Sequence, residues 1–160
     1  MNNLRYAAFV VLVSGALSAC KDEGTLSTTP SIGFISLEPR VIRGANAEDS
    51  TFLEFRFTDG DADLGVGSAA TGQDDIFLID SRDGTELKFL FPNIADELRD
   101  PAKGMTGTVV LIMPAALITP RTDSLHMATG DTLRYEVYVK DRAGHESNRF
   151  TTPDLFLTPP

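Results

Sequence analysis

Residues 131–148 read DTLRYEVYVKDRAGHESN, and their alternation decides the fold class. Leu133, Tyr135, Val137 and Val139 fall on one side of an extended chain; Arg134, Glu136, Tyr138 and Lys140 fall on the other. Successive side chains of a strand point to opposite faces, so this pattern makes one buried face and one wet face. The DRAGHES run that follows reads as a turn. Gly144 suits a positive φ, and Asp141 and Ser147 have side-chain oxygens that can cap backbone amides.

Working outward, the same signal recurs upstream. FLEFRF at residues 52–57 puts Leu53, Phe55 and Phe57 on one face. IGFISL (32–37), IFLID (76–80), LKFLF (87–91) and TVVLIM (108–113) are further strand-like runs, and Asp83-Gly84 marks a hairpin turn between the middle two. The last run, residues 150–157, is interrupted by Pro153 and is predicted to end as an edge. NIADELR at 93–99 is the only helical turn predicted, and Ser124 to His126 is read as extended. Seven strands with so little helix predict an all-β sandwich.

Within that class, DTLRYEV (131–137) resembles the tyrosine-corner segment of immunoglobulin-like and fibronectin type III-like domains, and the Asp-x-Ala-Gly-x-x-Ser turn is similar to the one after their sixth strand. The resemblance implies an immunoglobulin-like β-sandwich of about seven antiparallel strands over residues 31–158. Val137 stands where antibody domains carry Cys, and with no Trp in the chain Phe77 or Leu78 must fill the third-strand core position. The likeness is therefore to the wider sandwich group.

The N-terminus carries an address. After one Arg, residues 6–17 (YAAFVVLVSGAL) are mostly apolar, and Leu17-Ser18-Ala19-Cys20 resembles the bacterial lipoprotein box. Twelve residues are too few to span a bilayer as a helix. The resemblance implies that residues 1–19 are a signal peptide and that Cys20 is acylated, with 20–30 a flexible tether. Cleavage removes Arg5 alone among the charges, taking the net charge from -9 to -10. Lys21-Asp22-Glu23 resembles the signal that sends Bacteroidota-type lipoproteins to the cell surface. The expected location is the outer membrane, lipid-anchored, on the outer face.

Composition closes several function classes. Fourteen Lys and Arg against 23 Asp and Glu disfavour a nucleic-acid partner, which needs clustered cations. A single Cys excludes an internal disulfide and a thiolate zinc site. His126 and His145 stand apart without metal-ligand spacing, and Asp123, Ser124 and His126 are too close together on an extended chain to form a triad. The chain is therefore expected not to be an enzyme.

The densest chemistry is TDGDADLG at residues 58–65, where Asp59, Asp61 and Asp63 alternate. Such carboxylates repel unless a cation lies between them, and Ca²⁺ takes six to eight oxygens. The EF-hand pattern fails, since Leu64 occupies its Gly position and Ala70 its Glu position. In an immunoglobulin-like sandwich Asp141 would reach the same end, with Asp74 and Asp75 at the loop's far side. A Ca²⁺ site of Asp59, Asp61, Asp63 and Asp141 is the candidate. The expected role is a non-enzymatic module that meets an envelope protein partner. The alternative is a calcium-ordered adhesion or glycan-binding module, for which the aromatics Tyr138, Phe52 and Phe89 are the candidate platform.

Overall fold

The computed structural model describes residues 26–46, 48–65, 75–92, 94, 95, 97 and 99–159. The apolar leader, Cys20, the Lys-Asp-Glu run and Asp74 lie outside the described residues, as does part of the stretch read as a helical turn; there, Glu97 alone has 3-10 geometry among those described.

The described residues are mostly β, with two short helical segments at Ala115–Leu117 and Ser124–Thr129. The strands are β1 (Ser31–Glu38), β2 (Val41–Arg43), β3 (Ser50–Asp59), β4 (Ile76–Asp80), β5 (Glu86–Phe89), β6 (Met105–Pro114), β7 (Asp131–Leu133), β8 (Tyr135–Val139), β9 (Phe150–Thr151) and β10 (Leu155–Thr158). One sheet has the order β1-β3-β6, a second β5-β4-β8-β9, and a third, small one β2-β10-β7. Their inner faces share one core. Leu53, Phe55, Val109 and Leu111 come from the first sheet, Ile76, Leu78, Val137 and Val139 from the second, and Ile42, Leu133 and Leu157 from the third.

The alternation places these side chains as expected: Tyr135, Val137 and Val139 are buried, as are Leu53, Phe55 and Phe57. Leu78 fills the core, whereas Phe77 lies on the opposite face of β4, stacked on Tyr138 at 4.7 Å. Phe150 bridges the two larger sheets through Phe34 and Phe55.

Three details differ from the sequence reading. Among the described residues there are ten strands where the sequence predicts seven, because β2 is added and two long runs are split. Arg134 separates β7 from β8, donating its amide to Ser81 Oγ, and residues 152–154 around Pro153 separate β9 from β10. The β2–β10 pair is parallel, since after β9 the chain leaves the four-stranded sheet and β10 runs beside β2. Residues 124–129 form a helix, α1, not an extended segment. Asp123 caps it by accepting from the amides of Leu125 and His126, a local signal that outweighs the apolar alternation.

Candidate metal centre

Two strands deliver carboxylates to the same end of the fold by simple periodicity. In β3 the inward series Leu53, Phe55, Phe57 reaches Asp59 as its next member, and Asp59 is fully buried. In β8 the series Tyr135, Val137, Val139 reaches Asp141, also fully buried. Each acid stands one step past the last apolar side chain, at the rim of the core.

The loop after β3 folds back on Asp59. The Leu64 amide donates to Asp59 Oδ2 at 2.9 Å, and the Leu64 side chain enters the core. Ala62 adopts a left-handed φ of 57°, and Arg99 holds the curl by donating to the carbonyls of Ala62 (2.9 Å) and Leu64 (2.8 Å). Asp63 reaches the loop after β8. Its Oδ2 accepts from the Ala143 amide at 3.1 Å, and its carbonyl accepts from Arg142 Nε at 2.8 Å. Asp141 is turned by His145, whose backbone amide (2.7 Å) and Nδ1 (2.8 Å) each meet one of its oxygens.

One oxygen from each of Asp59, Asp63 and Asp141 lies within 4.8 Å of the others. Asp59 Oδ1, Asp61 Oδ1 and Asp63 Oδ1 are buried without a hydrogen-bond partner. Burial pushes the Asp59 carboxyl up to about 6, opposed by the Leu64 amide and reinforced by Asp61 and Asp63. Asp63 is raised by burial first, then by Asp141 and Asp61. His145 is raised chiefly by its hydrogen bond to Asp141. An all-oxygen donor set with three carboxylates and one imidazole partner, His145, suits a hard cation such as Ca²⁺ and not a nitrogen- or sulfur-seeking metal.

The structure thus brings together Asp59, Asp63 and Asp141 of the four candidates. Asp61 stands beside Asp59 but outside the three-oxygen cluster. Asp75 is buried at the start of β4, its carbonyl accepting from the Lys140 amide. His126 lies elsewhere, 2.5 Å from Asp123. The three aromatics do not form a shared exposed platform. Tyr138 and Phe89 are buried, Arg149 covers the Tyr138 ring, and Phe52 alone of the three is exposed.

A second acidic cluster has no signature in the sequence. Arg82 lies buried between Asp80 (2.6 Å) and Asp131 (2.5 Å), joining the end of β4 to the start of β7. Nothing in the spacing of residues 80, 82 and 131 announces that contact; only the hairpin turn after Asp80 hinted at a fixed geometry there.

No family model matches the sequence, and neither a curated protein nor a solved structure matches it.

Proposed function

We propose that the chain is a non-enzymatic interaction module of the cell envelope, an immunoglobulin-like sandwich whose loops after β3 and β8 are locked together by one Ca²⁺. The observation that carries this reading is the convergence of Asp59, Asp63 and Asp141, with Asp59 Oδ1 buried and unpartnered. The contrast with the other acidic cluster supports it. Asp80 and Asp131 have Arg82 between them, whereas among the described residues Asp59 and Asp63 have no ion-pair partner. Asp59 and Asp63 would hold the ion from the first loop and Asp141 from the second, with Asp61 within reach to complete the oxygen set.

The immunoglobulin-like assignment is favoured by strand order. With β2, β7 and β10 set aside, the first, second and fifth strands share one sheet, and the third, fourth, sixth and seventh share the other. The lipoprotein box supports anchoring through Cys20 at the outer membrane, with a protein as partner. A glycan platform is disfavoured by the covered Tyr138 ring.

The test is a thermal melt of the full chain in detergent, with calcium and with excess chelator. An extracellular-type site with Kd near 10⁻⁴ M gains about 1.4 kcal/mol in millimolar Ca²⁺, a rise of a few degrees. Asp59→Asn and Asp63→Asn should each remove the rise. Equal melts with no heat of calcium binding would sink the ion. Separately, Cys20→Ala should abolish fractionation with membranes; retention there would sink the anchor.

A further inference from the structure

The β4–β5 hairpin and the loop that follows β6 enclose a cavity of about 170 Å³. Its inner side is buried. Asp80 ends β4, Arg82 lies in the turn after it with 8% of its side chain exposed, and Tyr135 opens β8 with 1% exposed. Leu87 and Leu117 are half-buried on its walls, and Thr85 and Thr119 are exposed at its outer side. Arg82, Asp83 and Thr119 also line a wider cleft of about 490 Å³, which runs on to Arg121 and Asp123. A narrow inner pocket thus adjoins a broad outer one.

Two features of the inner pocket point to a ligand. A tyrosine corner gives its hydroxyl a backbone partner. Among the described residues the Tyr135 hydroxyl makes no hydrogen bond, although its amide does. Burial raises its pKa above the ordinary value, so it stays a neutral donor, and a buried hydroxyl left without a partner is costly. Arg82 is the second feature. Nε and one Nη2 hydrogen go to Asp80, and one Nη1 hydrogen goes to Asp131. Each terminal nitrogen keeps a hydrogen to give. The guanidinium is therefore fixed in place by its own fold with donors to spare.

We propose that the inner pocket binds one neutral hydroxylated ring, a terminal sugar residue, with the next residue of the glycan in the outer cleft. Size supports this. A cavity of about 150 Å³ accepts a six-membered ring, and the outer cleft falls within the roughly 300–1,000 Å³ of ligand sites. Charge selects the class. The carboxylates of Asp80, Asp83 and Asp123 stand among the guanidiniums of Arg82 and Arg121, so an anion or a cation meets its own sign beside the opposite one. An apolar ring would strip water from these groups and return no hydrogen bond. Ring hydroxyls both donate and accept, as Arg82 and Tyr135 require. Leu87 and Leu117 give the ring carbons an apolar wall. This inference is independent of the calcium site and of the aromatic face at Tyr138.

The test uses the full chain in a detergent whose headgroup is not a sugar, with binding read by saturation-transfer NMR. The probes are glucose, galactose, mannose and N-acetylglucosamine, and disaccharides ending in each. Sorbitol, acetate and butylamine are the linear, anionic and cationic counterparts. The expected result is saturable binding of at least one monosaccharide, tighter binding of a disaccharide that ends in it, and no binding of the counterparts. Two variants keep folding and binding apart. Tyr135→Phe removes only the hydroxyl; it should melt no lower than the parent and weaken binding about 2–10-fold, the worth of one hydrogen bond. Thr119→Leu adds bulk at the exposed residue that both spaces share; it should melt like the parent and weaken every sugar. Binding of no sugar would overturn the proposal. So would counterparts that bind as well as sugars, a disaccharide no tighter than its terminal sugar, or unchanged binding in either variant. A Tyr135→Phe chain that melts well below the parent would overturn it too, since the hydroxyl would then have a partner within the fold.

Discussion

At the scale of single residues, the apolar periodicity that builds the core also forces Asp59 and Asp141 inside it. This has a measurable pH signature. Asp59 titrates near 6 in the folded chain and near 4 when unfolded. Between those values the folded state holds the extra proton, so calcium-free stability should fall as pH rises from about 4 to about 6. Carboxylates held below their usual range, such as Asp123 with its His126 hydrogen bond, lose their contribution only below that window. Melts in chelator should therefore run higher at pH 5 than at pH 7. Asp63 and His145, also held above their usual values, add to the same trend, so Asp59→Asn should reduce that dependence without abolishing it, and at neutral pH it should melt above the calcium-free parent while losing the response to calcium. A parent with equal stability at both pH values would contradict the buried, uncompensated carboxylate. Gly104 offers an independent handle on the site. It has a φ of 69°, and a Cβ there would lie 2.5 Å from the Asp59 carbonyl oxygen. Gly104→Ala should cost about 1–3 kcal/mol in a denaturant titration, from the left-handed backbone and from displacing Asp59. A neutral result would mean that this turn is softer than its geometry indicates.

At the scale of elements, side-chain hydroxyls stand in for ladder bonds. Ser147 Oγ accepts from the buried Val139 amide at 3.0 Å, and Thr152 Oγ1 does the same for Tyr135 at 2.9 Å. Ser147→Ala leaves a buried donor unpaired and should cost about 1–3 kcal/mol, read as a lower urea midpoint with unchanged slope. Val137→Ala should cost about as much through its cavity, whereas Glu136→Ala on the outer face should barely register. The reverse order would mean the strand sits one residue out of register. These strands were legible because their inward faces are unbroken apolar series. α1 was not, since its six residues have no apolar stripe and its one signal is Asp123 as cap. The split at Arg134 was equally hidden, because the interruption comes from Ser81 on another element. Asp59, Asp63 and Asp141 could be named from sequence through strand parity and loop position. The curl of the loop that carries Asp61 was not legible, since its left-handed residue is Ala62 and not a glycine.

At the scale of the molecule, the two ends solve the same electrostatic problem differently. One end neutralises Asp80 and Asp131 with Arg82, tying the four-stranded sheet to the small one. The other gathers Asp59, Asp63 and Asp141, of which only Asp141 has an ion-pair partner, His145, among the described residues. Arg82→Ala should therefore be severe, about 3–5 kcal/mol, because it strands two buried carboxylates. Adding Asp80→Asn and Asp131→Asn to that variant should recover much of the loss. Chemical denaturation of the single and triple variants decides the point; equal stabilities would show that the arginine contributes packing alone. The start of the fold also joins the acidic end, where the Gly60 amide donates to the Ser27 carbonyl at 2.8 Å. That contact lies inside the stretch read as tether.

The stacked pair on the outer sheet face has an optical consequence. The chain has no Trp and three Tyr, of which Tyr6 lies in the N-terminal apolar run outside the described residues, so Tyr135 and Tyr138 carry the near-ultraviolet tyrosine signal of the described fold. Tyr138 is fixed between Phe77 and Arg149, with its hydroxyl donating to Glu86 at 3.2 Å. A ring held that rigidly in an asymmetric setting gives a strong circular-dichroism band, and a carboxylate on its hydroxyl quenches its emission. Unfolding should therefore brighten the protein while erasing the band. A Tyr138→Phe chain would leave Tyr135 as the sole lamp, reporting from inside the core.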